Sequence, residues 1–178
     1  GESDAQAFLR SVAASGDAAA ESIRAAWERY RTPVDYGIAA MDLDKIAACI
    51  ASGLPTRLYY TAFRNNAFDT HVQQGPQHQR LIAYACDAVH GFIADLKRLG
   101  VADNVLVLVF SEFGRRVAEN TNQGTDHGTA NVMFLAGEPV KGGHYGTFPS
   151  LSALRDDENI APTTDFRDVY ATAIEWLA

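Results

Sequence analysis

Three short stretches carry residue types that bind ions or move protons. In Phe68-Asp69-Thr70-His71 a carboxylate and an imidazole stand two residues apart. In extended backbone such an i, i+2 pair points to one side, with Cα atoms roughly 7 Å apart. The two side chains can share one ion, and oxygen together with nitrogen suits zinc, manganese or iron better than calcium. Taken alone, surface hydrogen bonding explains the same pair more simply. Gly124-Thr125-Asp126-His127-Gly128-Thr129 sets Asp126 beside His127 between glycines, which allow close backbone approach and unusual dihedrals. His127 is the strongest single candidate ligand. In Ser111-Glu112-Phe113-Gly114-Arg115 the acid of Glu112 follows an apolar run, where it can ligate a metal or act as a base. Pairing of Glu112 with Arg115 or Arg116 is the competing explanation. Arg115 or Arg116 suits bidentate capture of an oxyanion, with pairing to nearby acids equally open.

The elements that must position these groups are readable from periodicity. Residues 1–36 form a helical amino-terminal segment, expected as two pieces broken near Ser15-Gly16-Asp17. A second helix runs from about Met41 to Ser52 and stops at Gly53. The aromatic and β-branched segment Thr56 to Phe63 reads as a strand. Leu81, Ala85, Val89, Phe92, Leu96 and Leu99 recur at spacings of three and four, the mark of a long helix ended by Gly100. Val105 to Phe110 is an apolar run of strand length, fit for the centre of a sheet. Strand, helix and strand make a βαβ unit, whose loops open along one sheet edge. Val132 to Ala136 is a third apolar run. For His127 to reach Asp69, His71 and Glu112, this third strand must run antiparallel to the second. About twenty polar residues separate those two runs, a loop length that is usually functional. Gly137 to Ile160 is expected to be irregular. Thr164 or Asp165 caps a last helix with Val169, Tyr170, Ala173, Ile174 and Leu177 on its inner stripe. The sum is an α/β fold, a sheet between layers of helices.

The chain has 178 residues, 47% hydrophobic and 21% charged, enough for one domain with a core. Fifteen Lys and Arg against 22 Asp and Glu give a net charge of −7, a field that repels nucleic acid and anionic membrane surfaces. No apolar run approaches the ~20 residues of a membrane span. Cys49 and Cys86 lie in helical patterns and are expected to be buried free thiols. His78, His90 and His144 are weaker candidates than His71 and His127. Tyr59 and Tyr60 are assigned to packing.

Taken in order, F-D-T-H, S-E-F-G-R, G-T-D-H-G-T-A-N, V-K-G-G-x-Y-G and T-T-D-F-R-D-V-Y resemble the domain-of-unknown-function family 1501 from about Ile38 to the end. Members resemble the alkaline phosphatase and sulfatase superfamily and are commonly exported bacterial proteins with a twin-arginine signal. The resemblance implies a three-layer αβα fold with a mostly parallel sheet and at least one antiparallel strand. Residues 1–178 would then be a single domain forming the carboxy-terminal part of a larger one, exported or periplasmic in the full-length protein.

Residue by residue, Asp69 and His71 match an Asp/His pair, and His127 matches the late histidine. Glu112 stands where relatives carry the acid of a strand-end Asp-His-Gly motif, and Phe113 replaces that motif's histidine. The implied activity is metal-dependent hydrolysis of phosphate or sulfate esters, with a small-molecule or polysaccharide ester as substrate. Zinc is the expected divalent metal, held by Asp69, His71, Glu112, Asp126 and His127. Glu112 and Arg115 are the expected catalytic groups. Superfamily hydrolases use a Ser or Thr nucleophile. Thr70, Ser111, Thr125 and Thr129 are near the expected cleft, and each is also an ordinary turn or cap residue. A non-catalytic envelope or polysaccharide-binding domain of the same fold is the alternative.

Overall fold

The structure, a computed structural model, describes residues 3–178. It opens on helix α1, Asp4–Arg29, started by a capping box. Gln6 N–H donates to Ser3 Oγ at 3.3 Å, and Ser3 N–H donates to Gln6 Oε1 at 3.0 Å. The expected break at Ser15-Gly16-Asp17 does not occur. One glycine costs about 1 kcal/mol relative to alanine, and the alanines flanking it on both sides carry the helix through. Residues 3–19 are exposed throughout, including Phe8, Leu9 and Val12. Only the far end of α1 packs on the body, through buried Ala26.

Helices α2, Leu43–Ala51, and α3, Gln74–Leu99, build the core. Leu43 and Ala47 of α2 meet Ala88, Phe92 and Leu96 of α3, with Tyr36 and Ala102 closing the cluster. Helix α3 ends at Gly100 as the sequence indicates, because φ is +71° there and only glycine enters that region freely. The buried stripe of α3 also contains Asp95, which is 0% exposed. The Asp95 carboxylate accepts from the hydroxyls of Tyr30 at 2.5 Å, Tyr36 at 2.8 Å and Thr32 at 2.9 Å, and from Arg98 Nε at 2.7 Å. Burial alone would raise its pKa, but these four donors together hold it below the usual carboxylate value. The same burial and the neighbouring anion push the Tyr30 phenol up to about 12 and raise that of Tyr36 further. Asp95 thus joins the end of α1 and the chain that follows it to the middle of the fold.

The strands are short and antiparallel. Strand β1, Val107–Val109, pairs with β4, Phe134–Ala136, in the register Val107 to Ala136 and Val109 to Phe134. The second and third apolar runs are therefore antiparallel, as the convergence of site residues requires. Strands β2, Gly114–Glu119, and β3, Thr125–Gly128, form a hairpin in the long polar stretch between them. Sequence reading leaves that stretch as a loop, since Arg115, Arg116, Glu119 and Asn120 mask any apolar alternation.

The segment 56–63 is not a strand. Residues 59, 61 and 63 turn inward and 58, 60 and 62 outward, the alternation of a strand without a neighbour to complete a ladder. No parallel βαβ pairing is formed among the described residues; the sheets present are two antiparallel pairs. Helix α4, Phe166–Leu177, begins where Asp165 accepts from Arg167 N–H at 2.9 Å. Val169, Tyr170, Ala173 and Leu177 are half-buried, while Ile174 is exposed. Cys49 is buried as expected; Cys86 is exposed, because it faces away from the α2 contact.

Candidate metal centre

Asp69 and His71 lie on the loop between the turn at Arg64–Asn66 and α3, and His127 lies on β3. Their potential ligand atoms all fall within 4.8 Å of one another. Asp69 Oδ1 stands 2.7 Å from His127 Nε2 and 2.9 Å from His71 Nε2. The two imidazoles are neighbours, with ring centroids 4.8 Å apart. The hydrogen bond with His127, helped by the neighbouring His71 and Arg115 side chains, holds the Asp69 carboxyl below its ordinary pKa.

The hairpin is fastened to the Asp69–His71 loop by backbone bonds. Gln73 and Gln74 N–H donate to the carbonyls of Asn122 and Gln123, each at 2.9 Å. Gly124 lies against His71 so closely that an added Cβ would sit 2.3 Å from its carbonyl carbon. Gly128 meets the Arg115 backbone, 2.7 Å from an added Cβ, and Gly114 meets the carbonyl of Ala130 at 1.7 Å. The glycines around Asp126 and His127 serve close approach, as their type suggests. Gly124 and Gly128 are not among the residues of positive φ, so unusual dihedrals are not their role.

Other expected site residues fall in different places. Asp126 Oδ1 is 3.4 Å from His71 Nδ1. It therefore addresses the ring nitrogen opposite the one that faces Asp69, and stands behind the cluster instead of in it. Hydrogen bonds from Asn120 and then His71 lower its pKa. Glu112 is not brought within ligand distance of the other three. It is exposed on the turn Ser111–Phe113, where Ser111 Oγ donates to the Phe113 carbonyl at 2.8 Å. Nor does it pair with either arginine: Arg116 binds Glu158 at 2.9 Å, and Arg115 lies 3.6 Å from Asp69.

Arg115 does not present a free fork to an oxyanion. Its guanidinium donates to the carbonyls of Phe68 at 2.7 Å and Thr125 at 2.5 Å. Burial lowers its pKa, against the opposing pull of Asp69 and Asp126. Arg115 thus ties the loop that carries Asp69 and His71 to the strand that carries His127. Phe113, in the place of a motif histidine, lies flat on the His127 ring, with centroids 3.9 Å apart and planes within 7°. The Arg115 guanidinium covers Phe113 at 4.9 Å, a cation–π contact.

None of the four candidate hydroxyls is unengaged. Thr70 accepts from Gln74, Thr125 donates to Gln74, Ser111 binds the Phe113 carbonyl and Thr129 binds the Ile160 carbonyl. Sequence reasoning misses Gln74, Asn120 and Asn131. Asn131 Nδ2 clamps the Ser111 and Phe113 carbonyls at 2.8 and 3.0 Å. Its place in G-T-D-H-G-T-A-N was the available signal.

The donor set fits a zinc-type ion. Two imidazole nitrogens and one carboxylate oxygen are the ligand types of three-ligand sites that leave a fourth position open. Tetrahedral ligands at 2.0–2.1 Å lie about 3.3 Å apart, so the distances of 2.7 and 2.9 Å need only a small opening. When His71 offers Nε2, its proton resides on Nδ1, and Asp126 is the acceptor placed to receive it.

The family described as Protein of unknown function (DUF1501) matches residues 56–177. The chain belongs to that family. The match spans α3, all four strands and α4, and therefore every residue of the cluster. No curated protein and no solved structure gives a significant match.

Proposed function

We propose that the chain is a domain of a metal-dependent hydrolase of phosphate or sulfate esters, with Asp69, His71 and His127 as ligands of one divalent ion, zinc by donor set. The observation that carries this reading is the convergence of three ligand atoms from separate elements within 4.8 Å. A bound zinc ion supplies Lewis acidity toward an ester oxygen. Asp126 fixes the tautomer of His71, Arg115 holds the Phe68 and Thr125 carbonyls beside the ligands, and Phe113 shields one face of His127. Glu112, with an exposed carboxylate and no ion pair or hydrogen bond among the described residues, is the candidate base toward substrate.

The wider assignment belongs to the same proposal. The antiparallel β1–β4 pair and the alternating segment 56–63 are compatible with edges of a three-layer αβα sheet of the alkaline-phosphatase type. In that reading the full-length protein is exported and its substrate is a small-molecule or polysaccharide ester.

Metal content and a screen of phosphate and sulfate esters test it together. One zinc per chain is expected, lost in His71→Ala, with ester turnover in the longest natural form. Absence of bound metal in the parent, with His71→Ala behaving identically, overturns the reading. One observation favours a non-catalytic polysaccharide-binding domain instead: Phe113 stacks where a second metal would need its histidine. Glycan binding that persists in chelator, without ester turnover, would select that alternative.

A further inference from the structure

Asn120 stands in the hairpin turn and makes four side-chain hydrogen bonds of two kinds. Its Oδ1 accepts from Asn122 N–H at 2.9 Å and Gly124 N–H at 3.1 Å, which shapes the turn. Its Nδ2 donates to the His71 carbonyl at 3.1 Å and to Asp126 Oδ1 at 3.2 Å. Both of the latter acceptors belong to the His71–Asp126 pair. One amide therefore fixes the backbone that carries the imidazole and also the carboxylate that faces its far nitrogen. Asp126 is exposed, and its contact with His71 Nδ1 is long at 3.4 Å, so the Asn120 amide is the shorter of the two side-chain bonds that hold its carboxylate there. Outer groups of this sort set the tautomer and the orientation of a ligating histidine, and their loss typically costs 10–100-fold in metal affinity.

We infer that Asn120 is a positioning residue of the metal centre, acting through Asp126 and the His71 carbonyl to aim His71 Nε2 at Asp69 and His127. The inference rests on the metal-site reading above. Its two halves separate chemically, because Asn120→Asp keeps an acceptor for the turn amides and removes the donor that Asp126 and His71 use.

The test measures zinc affinity by chelator competition on the full chain, with cobalt substitution to read coordination from the visible spectrum. Thermal unfolding of the metal-free proteins reports the turn. In Asn120→Asp and in Asp126→Asn, zinc affinity is expected to fall 10–100-fold and the cobalt spectrum to change. The double substitution should lose clearly less than the sum of the two single losses, since the Asn120–Asp126 bond is common to both. Thr172→Ala, which loses only a bond to the Asp168 carbonyl within α4, serves as the control and should bind as the parent does. Parent-like zinc affinity and cobalt spectrum in Asn120→Asp overturn the inference. So does a double variant whose losses simply add. If Asn120→Asp fails to fold, Asp126→Asn and Asn120→Ser carry the comparison, with parent-like affinity in both again overturning it. A parent protein that binds neither zinc nor cobalt defeats the underlying metal reading instead, a different and recognisable result.

Discussion

Asp95 and Asp69 are each the hub of a polar cluster, one in the helical half of the molecule and one between the loop and the hairpin. Asp95 is wholly shielded from water and its four donors are satisfied on the spot. Asp69 is open to solvent, and its partners are two imidazoles that meet it through nitrogens able to ligate. A buried carboxylate must be fully neutralised by hydrogen bonds, or its desolvation would be intolerable. An exposed one is under no such demand, so a tight cluster around it calls for another explanation. Burial identifies the structural hub, and exposure combined with convergence identifies the candidate site.

The contrast breaks most visibly under truncation. Asp95→Ala should cost about 3 kcal/mol, since it takes the acceptor from the buried Tyr36 hydroxyl, from the half-buried Tyr30 and Thr32 and from the Arg98 guanidinium. With about 2–4 °C per kcal/mol for a chain of this size, the melting temperature should fall by roughly 10 °C. An unchanged transition would show that the cluster is not a structural hub.

Metal adds the next largest effect, and only at the other hub. Zinc at 100 times its dissociation constant should stabilise the parent by about 2.7 kcal/mol. Asp69→Ala should abolish that gain while leaving the metal-free midpoint close to the parent's, which calorimetry with and without zinc will read. Loss of stability in the metal-free variant would assign Asp69 a structural role after all. Tyr36→Phe comes next: loss of one buried hydrogen bond to Asp95 should cost about 1–2 kcal/mol in urea unfolding, with zinc affinity untouched.

The smallest effects are in pH dependence, and their signs are fixed. The Asp95 pKa is lowered in the folded state, so its contribution is complete above the unfolded value of about 3.9 and is lost as pH falls through the folded value. The Tyr30 phenol is raised to about 12, so its contribution is complete below about 10 and is lost as pH climbs toward 12. Unfolding of Asp95→Asn followed across both limbs should show a shallower acid slope than the parent.

Much of the scaffold was legible in the chain. Gly100 and Asp165 mark real helix ends, and the demand that His127 meet Asp69 correctly required the second and third apolar runs to oppose one another. What escaped was decided by competition. The glycine in Ser15-Gly16-Asp17 was outweighed by surrounding alanines, and the hairpin has no apolar alternation to announce it. The segment 56–63 carries a strand's alternation without a strand's partner. Of the expected site residues, Asp69, His71 and His127 converge, whereas direction took the others elsewhere. Asp126 lies beside His127 in sequence yet addresses the opposite nitrogen of His71, and Glu112 lies on a turn pinned elsewhere by Asn131. Asn120 had no chemistry of its own to attract notice; its importance is geometric.

Helix α1 leaves a mark on how the molecule diffuses. At 1.5 Å per residue its 26 residues extend about 39 Å, and most of that length stands clear of the body. A compact chain of this size has a radius of gyration near 16 Å. Small-angle scattering should therefore return a larger radius and a long tail in the distance distribution, the profile of a sphere carrying a mast.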